Sequence, residues 1–187
     1  MGRWEPDGRG RLEQAALALF GERGFENTTV AQIAARAGLT ERTFFRYFAD
    51  KREVLFWGSR TLQELMVNAL LNALPSAAPL EAVAAALDAA GIVLQDRFEI
   101  ARTRHAVIAA SAELRERELI KLASLAAALG DALRRRGTTG PTATLTAEAG
   151  IAVFRVAFER WVTETAQQEL PQLIREALEE LRAVTAR

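Results

Sequence analysis

The sequence predicts an all-α protein, and three observations support this class. Half of the 187 residues are hydrophobic, with alanine and leucine prominent, as is typical of packed helices. Apolar residues recur three and four positions apart along most of the chain, whereas no segment sustains the alternating pattern of a strand. Breaks at prolines and glycines divide the chain into about nine helices. The length is sufficient for one large or two small domains with a buried core.

The first helix is predicted to follow a flexible arm at residues 1–8, which contains Pro6 and shows no periodicity. From Gly10 onward the pattern becomes helical. Gly24 ends the helix, as a glycine just past a C-terminus does. The apolar side chains of this helix share one face: Leu12, Ala15, Ala16, Leu19 and Phe20.

The next two helices predict a helix-turn-helix unit. Thr29, followed three residues later by Gln32, indicates a capping box that opens the second helix. Gly38 ends this helix in a tight turn, and Thr40 can supply the N-cap of the third helix. Residues 9–48 therefore indicate three short helices with a glycine turn between the second and the third.

The remainder of the chain is predicted to be helical throughout. Asp50 and Glu53 indicate another capping box, at the start of a long fourth helix. We therefore expect a helix-turn-helix domain over residues 9–52 and a second helical domain over residues 53–187. Breaks at prolines, glycines and one serine bound the helices of this second part: 50–74, 79–93, 95–110, 112–136, 143–168 and 171–185.

The composition excludes several classes of site. Without cysteine there is no disulfide and no cysteine–zinc site, and a single histidine is too few for a histidine-rich metal site. The sequence contains no nucleophile–base constellation, so we expect neither an enzyme nor a cofactor. It also lacks a signal peptide and any run of about 18 apolar residues that could span a bilayer. We expect a cytoplasmic protein that has no membrane partner.

The segment TERTFFRYFADK, residues 40–51, combines aromatic residues with arginines. On a helix with 100° per residue, Phe44 and Phe48 share one face, whereas Arg42 and Arg46 point nearly the opposite way. Outward arginines on the second helix of a helix-turn-helix suit the DNA major groove, where a guanidinium binds guanine or a phosphate. A solvated helix face is the alternative, since two exposed arginines on a helix are common.

Other groups near this helix are suited to phosphate contacts. Although the formal net charge of the chain is zero, residues 1–52 carry nine basic and seven acidic residues. Thr29, Thr43 and Tyr47 offer hydroxyls to phosphate oxygens. Lys51 lies at the N-terminus of the next helix, where its charge and free backbone N–H groups can hold a further phosphate.

Residues 19–56 resemble the DNA-binding domain of the TetR family of bacterial repressors. The matching elements are RGF at the end of helix 1, TVAQIAARAG in helix 2, and the run from TFFRYF to KREVL in helices 3 and 4. Phe45 stands where the family usually has tyrosine, so a hydroxyl contact to the DNA backbone is missing there, and its ring is left to touch a thymine methyl. The resemblance implies the following DNA contacts: Thr29, Thr40, Glu41, Arg42, Thr43, Phe45, Arg46, Tyr47 and Lys51.

Residues 102–137 resemble the C-terminal domain of regulators that bind acyl-CoA-like ligands, including the regulator of the mycofactocin system. A ligand pocket needs large apolar side chains around a space, with a few polar groups directed inward. Ordinary core packing is the alternative for each aromatic residue, and a satisfied or surface position is the alternative for the histidine. The candidate lining of a pocket for a small apolar or acyl-CoA-like ligand is Trp57, Leu62, Met66, Phe98, Arg102, His105, Phe154, Phe158 and Trp161.

The last two helices predict a homodimer. Each carries more apolar surface than one packing partner covers, and a helix that is apolar on two sides must be covered on two sides. In TetR-like proteins these helices pair across a two-fold axis, which implies an operator that is an inverted repeat. The candidate interface is Ala149, Ala152, Val153, Val156, Leu173, Ile174, Ala177, Leu178 and Leu181.

These observations and the resemblance together predict a repressor that binds double-stranded operator DNA and is released by its ligand. Two other functions remain open on the sequence. One is an all-helical carrier of lipids or acyl-CoA that does not bind DNA. The other is a DNA-binding activator that has no ligand.

Overall fold

The computed structural model describes residues 8–163 and 168–185, and every regular element within these ranges is an α-helix. The predicted all-α class is confirmed. Of the predicted arm at residues 1–8, residues 1–7 lie outside the described ranges, and Gly8 already belongs to the first helix. The helices are α1 Gly8–Arg23, α2 Val30–Arg36, α3 Glu41–Tyr47, α4 Glu53–Phe56, α5 Ser59–Leu71, α6 Pro79–Gln95, α7 Phe98–Ala109, α8 Ala112–Arg135, α9 Gly140–Thr163 and α10 Leu170–Thr185.

The predicted fourth helix, residues 50–74, is divided into α4 and α5. The two residues between them, Trp57 and Gly58, form a turn. A glycine weakens a helix by about 1 kcal/mol relative to alanine, so a break at this position is cheaper than at its neighbours. The other predicted helices match the observed ones to within a few residues at each end, except that the predicted end of the helix at 143–168 falls on residues 164–167, outside the described ranges.

The turns of the N-terminal region follow the local signals of the sequence. Thr29 Oγ1 accepts a hydrogen bond from the backbone N–H of Gln32 at 3.2 Å, and the Gln32 side chain accepts one from the backbone N–H of Thr29 at 2.9 Å. This confirms the predicted capping box. Gly24 and Gly38 have φ of +82° and +67°, the left-handed region in which a side chain is strained. Their positions explain why α1 and α2 end where they do.

The predicted capping box at Asp50 and Glu53 is half correct. Asp50 Oδ1 accepts hydrogen bonds from the backbone N–H groups of Arg52 at 2.8 Å and Glu53 at 3.0 Å, so it does cap α4. The Glu53 carboxylate pairs with the Arg117 guanidinium instead of returning to the backbone. A charged donor binds a carboxylate more strongly than a neutral backbone N–H does, which accounts for the difference.

Replacing Asp50 with asparagine is expected to lower the free energy of unfolding by up to about 1 kcal/mol at pH 7, because asparagine can still cap α4 but loses the charged hydrogen bonds from the Arg52 guanidinium. Partial burial favours the protonated carboxyl, but hydrogen bonds and charge from Arg52 outweigh it and hold the pKa of Asp50 below its usual value. The stabilisation by the ionised group is therefore complete above about pH 5, one unit above the pKa of an aspartate in the unfolded chain, and is lost as the pH falls through the lowered pKa. Urea unfolding of both proteins between pH 7 and pH 3 checks this. A difference that persists unchanged at pH 3 would contradict it.

The chain forms two compact units. The first unit comprises the residues up to Gly58 together with Thr103–Glu118, and the second unit comprises Ser59–Arg102 together with the residues from Leu119 onward. Compact packing does not establish independent folding, so the domain limits of 9–52 and 53–187 stay a prediction. The largest fully buried side chains of the first unit are Leu12, Ile33, Phe44, Phe56, Ile108 and Leu114.

Segment 103–118 is held against α4 by two arginines that lie near the Phe56 ring. Arg104 Nε donates to the carbonyl oxygen of Leu55 at 2.7 Å, and its Nη1 donates to Glu118 at 2.9 Å. The Arg104 guanidinium also lies 5.1 Å from the centre of the Phe56 ring, and that of Arg117 lies 5.9 Å from it. Because Phe56 is 2% exposed, these cations cover a buried ring and tie this segment into the first unit.

In the second unit, α6 packs against α5, α9 and α10. Two glycines permit this close approach. A Cβ at Gly150 in α9 would overlap Val83 Cγ1 in α6, and a Cβ at Gly91 in α6 would lie 3.0 Å from Ile174 Cδ1 in α10. Within the described ranges, no helix is both long enough and apolar enough to cross a membrane.

Candidate nucleic-acid interface

Helix α3 separates its aromatic anchors from its arginines. Phe44 is fully buried and Phe48 is 3% exposed, and the centres of their rings are 5.4 Å apart. Arg42 and Arg46 are exposed, as the helical spacing predicted. The buried rings fix α3 on the first unit, so the outer face of the helix is presented on a rigid support.

Threonine side chains cap the N-termini of α2 and α3. Thr40 Oγ1 accepts a hydrogen bond from the backbone N–H of Thr43 at 3.2 Å and lies 3.0 Å from Thr43 Oγ1. Thr29 caps α2 in the same manner, as described above. A hydroxyl that accepts one bond still has a proton to donate, so the exposed Thr29 and Thr40 hydroxyls remain suited to a phosphate oxygen. Exposed Glu41 lies in the first turn of α3.

Phe45 is 55% exposed, which is unusual for a phenylalanine on a short helix. Its ring packs edge to face on Phe44 with centres 5.5 Å apart. The exposed part of the ring lies on a helix whose other outward residues are charged or polar. An exposed aromatic ring in this position is available for an apolar contact with a partner.

Tyr47 lies in a cluster of cations and rings, which we call the Tyr47 cluster and which consists of Arg9, Arg46, Tyr47 and Trp57. Arg46 Nη2 donates to the Tyr47 hydroxyl at 3.2 Å, and the Arg46 guanidinium carbon lies 4.9 Å from the ring centre. The Arg9 guanidinium carbon lies 5.5 Å from the Tyr47 ring centre and 5.4 Å from that of Trp57. Sequence reasoning assigned no role to Arg9, because no local pattern connects the first turn of α1 with the end of α3.

Lys51, a predicted phosphate contact, makes hydrogen bonds within the first unit. Its ammonium lies 2.8 Å from the carbonyl oxygen of Phe25 and 3.0 Å from that of Thr28, with that of Glu26 at 3.5 Å. It also lies 4.2 Å from the centre of the Phe25 ring. An ammonium has three protons, and these contacts engage them. In this structure Lys51 binds the α1–α2 loop, and a phosphate would have to compete with the three carbonyl oxygens.

The predicted ligand-pocket residues are distributed between the two units. Trp57, in the Tyr47 cluster, and the half-buried His105 belong to the first unit, and the other seven belong to the second. Neither of two surface hollows, of about 310 and 650 Å³, is lined by any of the nine. Leu62 packs against the core, Met66 is fully buried, and the exposed Arg102 pairs with Glu99 at 4.0 Å.

Four of the predicted pocket residues form an aromatic cluster in the second unit. The ring of Trp161 lies 5.1 Å from that of Phe98 and 5.7 Å from that of Phe158, and Phe158 lies 5.8 Å from Phe154. Trp161 is 4% exposed and Phe154 is 7% exposed. Sequence spacing therefore identified side chains that do meet, and in this structure they pack against one another as core.

The predicted dimer residues separate into two groups. Leu173, Ile174, Ala177 and Leu178 of α10 are each at most 5% exposed, and so is Val153 of α9. They are covered within one chain because α10 packs against both α6 and α9, and a place for them in a subunit interface stays a prediction. The residues that keep exposed or half-buried surface are Ala149, Ala152, Val156 and Leu181.

Comparisons with known proteins agree with this architecture. Residues 13–56 match the family model described as bacterial regulatory proteins, tetR family, and residues 77–186 match that of the MftR C-terminal domain. The transcriptional regulator TcmR of Streptomyces glaucescens is 40% identical over 81 residues, 43% of this chain but only 36% of that protein's length. MftR of Mycobacterium tuberculosis, named for mycofactocin biosynthesis, is 28% identical over 82% of this chain and 79% of its own.

Solved structures share the fold. The SmeT–triclosan complex superposes with a TM-score of 0.70 at 23% identity, covering 95% of this chain and 90% of SmeT. FadR from Bacillus subtilis in complex with stearoyl-CoA gives 0.65 at 19% identity, covering 92% and 96%. The relatives are transcriptional regulators and not enzymes. The two family models match the N-terminal and the C-terminal part of the chain, and the second match spans more than half of the chain. This chain therefore belongs to the TetR family of bacterial regulatory proteins and carries a C-terminal domain of the MftR type.

Proposed function

We propose that this TetR-type regulator is a repressor that binds an inverted-repeat operator as a homodimer and leaves it when a small, largely apolar ligand binds. The observation that carries the proposal is the division of α3 into a buried aromatic face and an exposed face with Arg42 and Arg46. An exposed helix face held on a rigid support is what major-groove recognition requires. A cytoplasmic location is part of the same proposal.

Most of the candidate DNA contacts in the helix-turn-helix fall into two roles according to their chemistry. Arg42 and Arg46 have planar guanidinium groups that can bond guanine O6 and N7 together, and Phe45 offers an apolar ring to a thymine methyl. Four side chains carry hydroxyls, which position the protein on phosphates without reading the sequence, whereas Glu41 and Lys51 stay predicted contacts without an assigned role. We assign this second role to Thr29, Thr40, Thr43 and Tyr47.

Replacing Arg42 with alanine is expected to weaken binding to the operator by about 1–3 kcal/mol, roughly 5- to 150-fold, and to relax base preference. The operator here is the duplex that the wild-type protein enriches from a random pool. Fluorescence anisotropy with this duplex and a scrambled one, over a range of salt concentrations, measures both effects. Arg60→Ala is the matched control, because Arg60 is an exposed arginine of α5 paired with Glu64. Equal affinity of wild type and Arg42→Ala for the operator would contradict the assigned role.

The dimer is proposed to form through the exposed stripe of α9. Leu145, Ala149, Ala152 and Val156 recur at spacings of four, three and four, and so follow one face of the helix. Leu145 is 72% exposed and Val156 is 48% exposed. An isologous contact along this stripe would join two chains, each of which carries one copy of α3. Sedimentation of wild type against Val156→Glu tests it, and a dimer unaffected by the charge would refute this interface.

The ligand is proposed to enter among the aromatic residues of the second unit. Leu62, Met66, Phe98, Phe154, Phe158 and Trp161 supply apolar surface, and Arg102 is exposed beside Phe98. Solved relatives of this fold bind triclosan and stearoyl-CoA, which supports an apolar or acyl-CoA-like ligand here. Since the cluster is packed, binding requires these rings to separate, and the ligand must favour a conformation that binds DNA less well.

Stearoyl-CoA is the first probe for this ligand, with free coenzyme A as the control that lacks the acyl chain. Titrated into the protein–operator complex, stearoyl-CoA is expected to lower DNA affinity, whereas coenzyme A is not. By linkage, the operator must lower stearoyl-CoA affinity by the same factor. Binding of stearoyl-CoA without any change in DNA affinity would contradict the proposed coupling between the two sites. Binding of stearoyl-CoA by a protein that enriches no duplex would instead indicate a carrier.

A further inference from the structure

The first turn of α1 contacts the last turn of α3 through an aromatic ring. A Cβ at Gly8 would lie 3.4 Å from both Cε2 and the hydroxyl oxygen of Tyr47, so the backbone at the start of α1 runs close to the phenol edge. The next residue, Arg9, places its guanidinium over the Tyr47 ring and over the Trp57 ring, at 5.5 and 5.4 Å from their centres. Three elements of the first unit therefore meet at one arginine.

The geometry of this contact suits arginine in particular. A guanidinium is planar and weakly hydrated, so it stacks on rings more readily than an ammonium does. Arg9 is half-buried and its Nε atom is shielded from solvent, and a cation–π contact is stronger where water is excluded. Arg9 thus restrains the ring of Tyr47 from the side of α1.

The restraint extends to an exposed arginine of α3. The Tyr47 hydroxyl accepts a hydrogen bond from Arg46 at 3.2 Å, and the Arg46 guanidinium lies over the same ring at 4.9 Å. If the ring of Tyr47 turns, both contacts of Arg46 are lost. A side chain as long as arginine has many rotamers, so fixing it before DNA binds reduces the entropy lost on binding.

We propose that Arg9 is a positioning residue for DNA binding, which holds the Tyr47 ring and, through that ring, the guanidinium of Arg46. The inference rests on the proposed DNA binding through α3 and adds a residue from outside the helix-turn-helix. Arg9 acts through Tyr47 and contributes no phosphate contact of its own. Its removal therefore lowers operator affinity without removing a charge from the DNA interface.

A double-mutant cycle between Arg9 and Tyr47 tests this route. Arg9→Met keeps an unbranched apolar side chain but removes the guanidinium, and it is expected to weaken operator binding about three- to tenfold in the wild-type background, the range of one cation–π contact. In the Tyr47→Leu background the same change is expected to cost less than about twofold, because coupled residues are not additive. Equal losses in both backgrounds would overturn the proposal, since Arg9 would then act without Tyr47.

The salt dependence separates positioning from a direct phosphate contact. Arg9→Met is expected to leave the slope of log affinity against log salt unchanged, whereas loss of one phosphate contact reduces the slope by about one. A reduced slope would overturn the proposal. Arg11→Met removes the same charge two residues further along α1 and controls for the general loss of a cation. Its effect on operator affinity is expected to be the same in the wild-type and Tyr47→Leu backgrounds.

Tyr47 is the single tyrosine of the chain, so incorporation of fluorotyrosine gives one ¹⁹F resonance that reports its ring. In the free protein, Arg9→Met is expected to shift this resonance and Arg11→Met is not. Arg9→Lys keeps the charge without the planar stack, and it is expected to give an intermediate shift and an intermediate loss of affinity. An unshifted resonance in Arg9→Met would refute the contact itself.

The failure of this inference can be distinguished from the failure of the proposed function. If the wild-type protein enriches no duplex, the proposed function is wrong. If Arg9→Met binds the operator as tightly as wild type, only the role of Arg9 is wrong.

Discussion

Replacing Phe44 with alanine is expected to lower the stability of the first unit by about 3–5 kcal/mol, the usual cost of removing a buried phenylalanine, and to abolish operator binding. Phe44 is fully buried and contacts the rings of both Phe45 and Phe48. Its removal leaves a cavity beneath α3 that a seven-residue helix cannot close without moving. Because a small domain is stable by only about 5–15 kcal/mol, much of that margin would be lost.

Phe45→Ala is the matched control, because it removes the same side chain from the adjacent position. Phe45 is 55% exposed, so its loss should change stability by no more than about 0.5 kcal/mol. Hydrogen exchange of peptides from α1 to α3 measures the stability of the first unit, and anisotropy measures DNA binding. We expect Phe44→Ala to lose both and Phe45→Ala to lose only affinity or base preference. Comparable protection in the two variants would contradict the burial argument.

Replacing Gly150 with valine is expected to destabilise the second unit by about 3 kcal/mol, the upper part of the range for overpacking a core. The first added carbon would already overlap Val83 Cγ1. Val83 is β-branched and therefore has little rotamer freedom with which to move aside. Since Val83 is fully buried, α6 and α9 must separate to admit the new side chain, which would loosen the contacts around α6.

Gly130→Ala provides the comparison for Gly150→Val within the same unit. A Cβ at Gly130 would meet Arg134 at 3.6 Å and the Ala143 carbonyl oxygen at 3.8 Å, which are ordinary contact distances. This variant is expected to gain up to about 1 kcal/mol from the better helix propensity of alanine. Urea unfolding with hydrogen exchange of α6 and α9 peptides distinguishes the two. A stable Gly150→Val protein would show that this crossing of helices is not tightly packed.

Local chemistry made much of the fold predictable. The Thr29–Gln32 capping box, the glycine turn at Gly38 and the opposite faces of Phe44 and Arg42 depend on residues within one turn of one another. Their energies are nearly independent of the rest of the chain, so a pattern in the sequence corresponds directly to a structure. The same local rules misplaced Glu53, because a distant guanidinium competed for its carboxylate.

The candidate site was only partly predictable, because long side chains choose among distant partners. Lys51 lies where a phosphate ligand was expected, but its ammonium reaches carbonyl oxygens 23 to 26 residues away in sequence. Arg9 meets Tyr47 across 38 positions of the chain, and no spacing rule connects them. For both residues, the sequence alone does not predict which atoms the charged group contacts.

The sequence by itself determined most of the helices, the caps of α2 and α3, the buried face of α3 and the family. Tertiary structure alone decided which apolar stripe is covered inside the chain and which remains outside. Leu173 and Ile174 were equally good candidates for a core and for a subunit interface, and the packing of α10 on α6 made them core. The physical reason is that periodicity records that a face is apolar, whereas the element that covers it depends on contacts between residues far apart in the chain.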